Sequence, residues 1–350
     1  MPAKHLTESL RWSGARPDWP HAIAAGLAMS IPVAVGQLTG HLEEGLAASV
    51  GGIMVGGVGT LASVREQASD IALAIAAALA ATLVALELSG FALEKTLLVL
   101  LAFGVSLVSG FSVRIAIAST RFVIFLVIAD GSMDGTAHPW ILAALVSAGA
   151  LWSALVNLAI GTLASSRRRA PEAEPRPHRT FAQHRAYWLR TLRTIGGWQY
   201  ALRIGLCLAV AMLLRSLWPT HHLNWIAITV VLLTERTVEA FPVKITQRAL
   251  GTVIGVLIAE GLGASGLASA FPAIVIALLA TGRPLLRANN YLAYTVVTTP
   301  LILVILGAGH DPQSSLLADR LLATLAGALL VLAANAAVRR AMRPSASSPD

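Results

Sequence analysis

Six arginines stand inside or at the edges of strongly apolar stretches: Arg114, Arg121, Arg203, Arg248, Arg283 and Arg287. A guanidinium in such a setting needs an anionic or hydrogen-bonding partner. Its planar fork of donors matches a carboxylate bidentately, so the chemistry these residues offer is capture of an anionic group. Arg248 leads, followed by Arg121 and Arg203, which lie within apolar runs. Arg248 has a second reading as the neutralising partner of Glu235. Glu239, four residues after Glu235, would share its helix face.

Hydroxyls form a second set. Thr229 and Thr295 each stand about one turn into an apolar stretch, and Thr234 and Thr252 lie nearby. Thr298 and Thr299 precede Pro300, whose missing N–H leaves a carbonyl free. A break there would present hydroxyls and carbonyls to a substrate. The competing role is hydrogen bonding between helices. Asn224-Trp225 and Asn290-Tyr291 read either as helix caps with interfacial aromatics or as a pair of gates.

Glu87, Glu260 and Asp130 are the carboxyls a proton-coupled carrier would use. The plainer reading is solvation at helix ends. His221-His222 offers too few ligands for a closed metal site. Cys207, the single cysteine, excludes an intrachain disulfide and reads as a small packing residue. No G-x-x-x-x-G-K loop, H-E-x-x-H pair or nucleophile elbow occurs. ATP hydrolysis, enzymatic catalysis, cofactors and metals are therefore not expected.

Composition says what must position these groups. The 350 residues are 56% hydrophobic and 13% charged, against roughly 25% charged in ordinary soluble domains. Mean hydropathy is +0.71. So little polar surface points to lipid as the solvent and to spanning helices. Twelve candidates follow, at about 21–40, 43–62, 70–89, 96–113, 115–131, 139–164, 199–218, 224–240, 246–264, 268–284, 289–308 and 316–338. The first apolar run shows no small-residue cleavage site, so no cleaved signal peptide is expected. The polar residues 1–20 read as a cytoplasmic segment with Trp12 and Trp19 at headgroup depth.

The charges orient the count. With the N-terminus inside, the inner side receives most of the basic residues. The outer side receives only Lys95, Arg215 and Arg320. That is the bias expected of twelve crossings with both termini inside. The net charge of +8 thus reflects orientation, and nucleic acid is not an expected partner. Residues 165–198, rich in Pro and Arg, read as a mobile basic linker for anionic headgroups. Residues 339–350 form a tail.

The chain also repeats itself. A-I-A-A-G-L at 22 matches A-L-R-I-G-L at 201, and the stretches ending at Asn157 and Asn335 match, both at offsets near 179. Two six-helix halves, 21–164 and 199–338, are therefore predicted as pseudo-repeats. Within the second half, N-W-I-A-I-T-V-V at 224 returns 66 residues later as N-Y-L-A-Y-T-V-V. R-A-L-G-T-V-I-G-V-L from Arg248 returns 72 residues later as R-L-L-A-T-L-A-G-A-L from Arg320. An odd number of helices separates each pair, so the half reads as a 3+3 inverted repeat. The expectation is that Thr229 and Thr295 face one cavity.

W-I-A-I-T-V-V-L-L-T-E-R-T-V followed by R-A-L-G-T-V-I-G, with the later N-Y-L-A-Y-T-V-V-T-T-P, resembles the fusaric-acid-resistance and aromatic acid exporter family. It is also similar to the plant aluminium-activated malate transporters. Trp225, Thr229, Val230, Val231, Glu235, Thr237, Arg248, Gly251 and Thr252 stand where that pattern puts them. The resemblance is specific over about 200–335 and fainter over 20–165. It implies an all-α transporter of organic anions, often aromatic carboxylates, in the bacterial cytoplasmic membrane. Many bacterial members carry a large cytoplasmic domain, where this chain has only a linker. The expectation is therefore an exporter of small aromatic anions, proton-driven if Glu260 or Asp130 titrates. A passive anion channel is the alternative and a membrane scaffold the third reading. A homo-oligomer is left open.

Overall fold

A computed structural model describes residues 11–55, 64–133, 138–165, 180–218, 223–234, 236, 241–307 and 314–341. The described residues form fourteen helices and no strand. They are α1 Trp19–Thr39, α2 Leu42–Val55, α3 Val64–Leu88, α4 Glu94–Val108, α5 Val113–Met133, α6 Pro139–Ser165 and α7 Phe181–Thr191. These are followed by α8 Ile195–Leu217, α9 Asn224–Leu233, α10 Phe241–Ala264, α11 Leu267–Ala270, α12 Pro272–Asn289, α13 Tyr291–Gly307 and α14 Ser314–Ala341. Five stretches are long and apolar enough to cross a membrane: Trp19–Thr39, Gln67–Leu88, Pro139–Ala164, Ile195–Leu217 and Asp319–Arg340.

Each of the twelve expected stretches contains a helix, with instructive differences. The expected linker is partly ordered. Thr180 and Gln183 make a capping box that starts α7, and Trp188 donates from Nε1 to the Leu107 carbonyl at 3.2 Å. Phe111 packs on Phe181 and His184. Aromatic contact thus fixes a segment whose composition reads as a connector. The stretch expected at 224–240 stops at Leu233, where Thr234 turns to extended backbone. Ten residues rise only about 15 Å, half of a hydrocarbon core of about 30 Å.

Packing follows one pattern twice. In the first set α1 packs on α2 and α6, α2 on α6, α3 on α5 and α6, and α4 on α5. In the second, α8 packs on α9 and α14, α9 on α14, α10 on α13 and α14, and α12 on α13. These are the same pairs in the same order. Between the sets, α1 meets α12 as α4 meets α8, and α2 meets α13 as α5 meets α9. One apolar core joins α3, α4, α5, α6, α8, α9 and α14. A second joins α1, α2, α12 and α13.

Polar contacts sort the helix ends into two groups. At the end we call near, Ser13 donates from N to the Asn289 carbonyl and Asn290 from Nδ2 to the Arg11 carbonyl. Arg236 donates to the Ser109 carbonyl, and Arg114 pairs with Asp70. At the far end Gln37 donates to the Ala270 carbonyl, and Gly131 abuts Asn224. Helices that run alternately near to far satisfy all of these contacts.

Candidate functional site

The structure divides the arginines by what their donors reach. Arg203 is buried and gives Nη1 to Asn335 Oδ1 at 2.6 Å and Nη2 to the Arg236 carbonyl at 3.3 Å. It ties α8 to α14. Arg215 is buried in an ion pair with Asp130 that ties α8 to α5. Arg114 makes an exposed pair with Asp70 at 3.8 Å. These three are bracing residues.

Three others each keep at least one buried donor without a partner, although Arg283 also gives Nη1 to Met29 Sδ at 3.7 Å. Arg248 Nε, Arg283 Nε, and both Nε and Nη1 of Arg320 are buried without a hydrogen-bond partner. Ion pairs with Asp130 and Asp70 take up Arg215 and Arg114. Arg248 and Arg320 are 2% and 1% exposed. A buried charge without a partner costs several kcal/mol, and an anion would supply the missing acceptor.

Tyr294 organises the near-end part. The guanidinium carbons of Arg283 and Arg287 lie 5.9 and 5.8 Å from its ring centroid. The charge of Arg248 also reaches its phenol. Arg287 exerts its charge on half-buried Arg121 across the bundle as well. Lys244 Nζ lies 5.1 Å over the Tyr291 ring, which packs on Tyr294 at 5.7 Å. Positive charge and aromatic faces thus converge where α10, α12 and α13 meet near Asn290. An aromatic carboxylate matches both features, through charge-assisted hydrogen bonds and through ring contact.

Thr229 and Thr295 are both fully buried, at two crossings. A Cβ added to Gly251 would meet Thr295 Cβ at 2.7 Å and the Leu292 carbonyl at 2.9 Å. One added to Gly327 would meet Thr229 Cβ at 2.9 Å and the Ile226 carbonyl at 3.1 Å. The two copies of the phrase make the same contact, α13 on α10 and α9 on α14. The glycines are 76 residues apart, one turn beyond the 72 of the sequence match. Side-chain crowding sets the true register. It makes Lys244 over Tyr291 the counterpart of Arg320 over Trp225, whose guanidinium lies 3.6 Å from the ring centroid.

The remaining expected residues are placed as follows. Helix α13 runs through Pro300, so the expected Thr-Thr-Pro break does not form. Thr298 bonds back to the Tyr294 carbonyl at 2.7 Å, and Thr299 packs on Gly255. Asn290 caps α13, accepting from Leu292 N at 2.7 Å and Ala293 N at 3.1 Å. Thr234 bonds back to the Val230 carbonyl, while Thr252 Oγ1 is buried without a partner. Glu87 and Glu260 are exposed, whereas Asp130 is engaged by Arg215. Glu235, Glu239, Thr237, His221 and His222 lie outside the described residues, as does the basic run Arg167–Arg169.

Sequence reasoning passed over Tyr294 and Arg320. Tyr294 occupies the variable position of the repeated phrase, and Arg320 stood as an outer-side charge and as the repeat partner of Arg248. That match was the available signal. Comparison with curated proteins and with solved structures gives no match. The family comparison does: residues 206–334, inside the stretch of specific resemblance, carry a domain that matches the family described as fusaric acid resistance protein-like.

Proposed function

We propose that this chain is a multi-pass membrane transporter that exports small organic anions, aromatic carboxylates first among them, across a bacterial cytoplasmic membrane. In this reading the chain crosses twelve times as two six-helix pseudo-repeats, α9 spanning only part of its crossing, with both termini and the near end cytoplasmic. The matching packing of the two helix sets supports the repeat. The fusaric acid resistance protein-like match over 206–334 supports the substrate class. The observation that carries the proposal is the set of unpartnered buried donors on Arg248 and Arg283 beside Tyr294. Cytoplasmic anions would enter there, drawn by Arg287 and Arg121.

The drive is a separate matter. Asp130 is held by Arg215, and Glu87 and Glu260 are exposed. This arrangement favours a second reading in which anions flow passively down their own gradient. Purified protein in liposomes tests both. Benzoate flux should fall roughly tenfold or more in Arg248→Ala and in Arg283→Gln, because a hydrogen bond to a charged group is worth about 1.5–3 kcal/mol. Undiminished flux in both would refute the site. Acceleration by an imposed pH gradient, at clamped voltage, supports proton coupling. A flux that follows only voltage and the anion gradient supports the passive reading.

A further inference from the structure

Arg320 stands apart from the near-end cluster. It lies in the second turn of α14, over Trp225 in the first turn of α9. Both starts belong to the far end of the bundle. The side chain is 1% exposed and Trp225 is 4% exposed. Its contact with the indole face, worth about 2 kcal/mol when desolvated, does not offset a buried charge whose Nε and Nη1 donors reach nothing. The charge on Arg248 of α10 bears on it and adds repulsion.

The surroundings share the deficit. Thr229, one turn after Trp225, and Thr252, one turn after Arg248, are both fully buried, and their hydroxyl oxygens have no partner. These groups come from α9, α10 and α14, which pack on one another. Of the carboxyls considered above, Asp130 is engaged by Arg215, and Glu87 and Glu260 are exposed. Two guanidiniums and two hydroxyls thus stand on these three packed helices, and among the described residues the neighbouring charge that bears on Arg320 is the positive one of Arg248.

We infer that Arg320, with Trp225, Thr229, Thr252 and Arg248, forms a second anion site toward the far end, and that it takes one small anion, a carboxylate group or a halide. It is the counterpart of the near-end pair of Lys244 and Tyr291, in the register fixed by the glycine crossings. Its part in passage rests on the transport reading, but its occupancy does not. The tight surroundings restrict it to a compact anionic group. In the transport reading it is the station a carboxylate reaches after leaving Tyr294.

The test reads binding without flux. Purified protein in neutral detergent is heated in sodium gluconate, with chloride or benzoate replacing gluconate at constant ionic strength. An Arg283→Gln/Arg287→Gln background removes the two near-end guanidiniums beside Tyr294 that the far-end site does not share. In that background the unfolding midpoint should rise saturably with chloride, benzoate or both, because a ligand of the native state stabilises it. Adding Arg320→Gln should abolish the rise and leave the protein in gluconate no less stable. Arg320→Lys, which keeps the charge but loses the fork, should weaken the apparent affinity at least about fivefold. It carries the test if Arg320→Gln does not fold. A response to benzoate marks a transported carboxylate as the occupant, and a response to chloride alone marks an inorganic anion. Absence of any response in the background, or one unchanged by either Arg320 substitution, would overturn the inference. A response lost with Arg320→Gln in a protein that moves no organic anion would leave the site standing and refute the transport reading instead.

Discussion

Replacing Gly251 by alanine tests whether the repeated phrase is a helix-crossing device. The new Cβ would stand 2.7 Å from Thr295 Cβ, 2.9 Å from the Leu292 carbonyl and 3.0 Å from Thr295 Cγ2. Carbon atoms in good contact sit about 3.5–4.0 Å apart. Two of the three neighbours are backbone or Cβ atoms, which no rotamer change can move aside. Helices α10 and α13 must therefore separate by roughly 1 Å, or the Thr295 turn must shift. Overpacking of this kind costs about 1–3 kcal/mol, while alanine gains up to about 1 kcal/mol over glycine in a helix. Gly261 on the same helix has nothing within 4 Å of the corresponding point, so Gly261→Ala collects the gain alone. The two variants should differ by about 1–3 kcal/mol in unfolding free energy, with Gly251→Ala the weaker. Unfolding in mixed micelles, followed by circular dichroism, measures this directly. Gly327→Ala should behave like Gly251→Ala, because its Cβ meets the equivalent atoms of Thr229 and Ile226. Equal stability of Gly251→Ala and Gly261→Ala would refute the crossing geometry and, with it, the 76-residue register.

The Asp130–Arg215 pair is buried at both partners, so Asp130→Asn should destabilise by about 3–5 kcal/mol through the guanidinium it strands. Asp130→Asn combined with Arg215→Met should recover much of that loss in the same unfolding assay. Asn290→Ala removes the cap of α13 and the bond to the Arg11 carbonyl. It should cost about 1 kcal/mol and increase proteolytic cutting near Arg11, read by mass spectrometry.

Much of the architecture was legible from composition and from the repeats. Apolar runs of about helix length, bounded by charge, proline and glycine, located the helices, because a helix satisfies all its backbone groups within one segment in lipid. The repeated phrases marked related helix starts, while the crossings and their 76-residue register come from the packing of Gly251 and Gly327. The boundaries were less legible. Glu235 and Arg236 follow Thr234 directly, yet the turn to extended backbone there is set by packing, and Phe111 and Leu107 help to seat α7, which its composition alone reads as part of a connector.

The candidate site shows the same division. Sequence alone determined that arginines sit in apolar surroundings and that an anion is their natural partner, because a guanidinium's charge and donor fork are properties of the residue. Which arginines remain available was decided by tertiary structure. Arg203 found Asn335 and Arg215 found Asp130, each across a helix interface, whereas Arg248, Arg283 and Arg320 have donors that reach no partner. Hydrogen bonding depends on distances set by packing between helices far apart in the chain. A residue's type can state the need for a partner, and only the fold decides whether the protein itself supplies one.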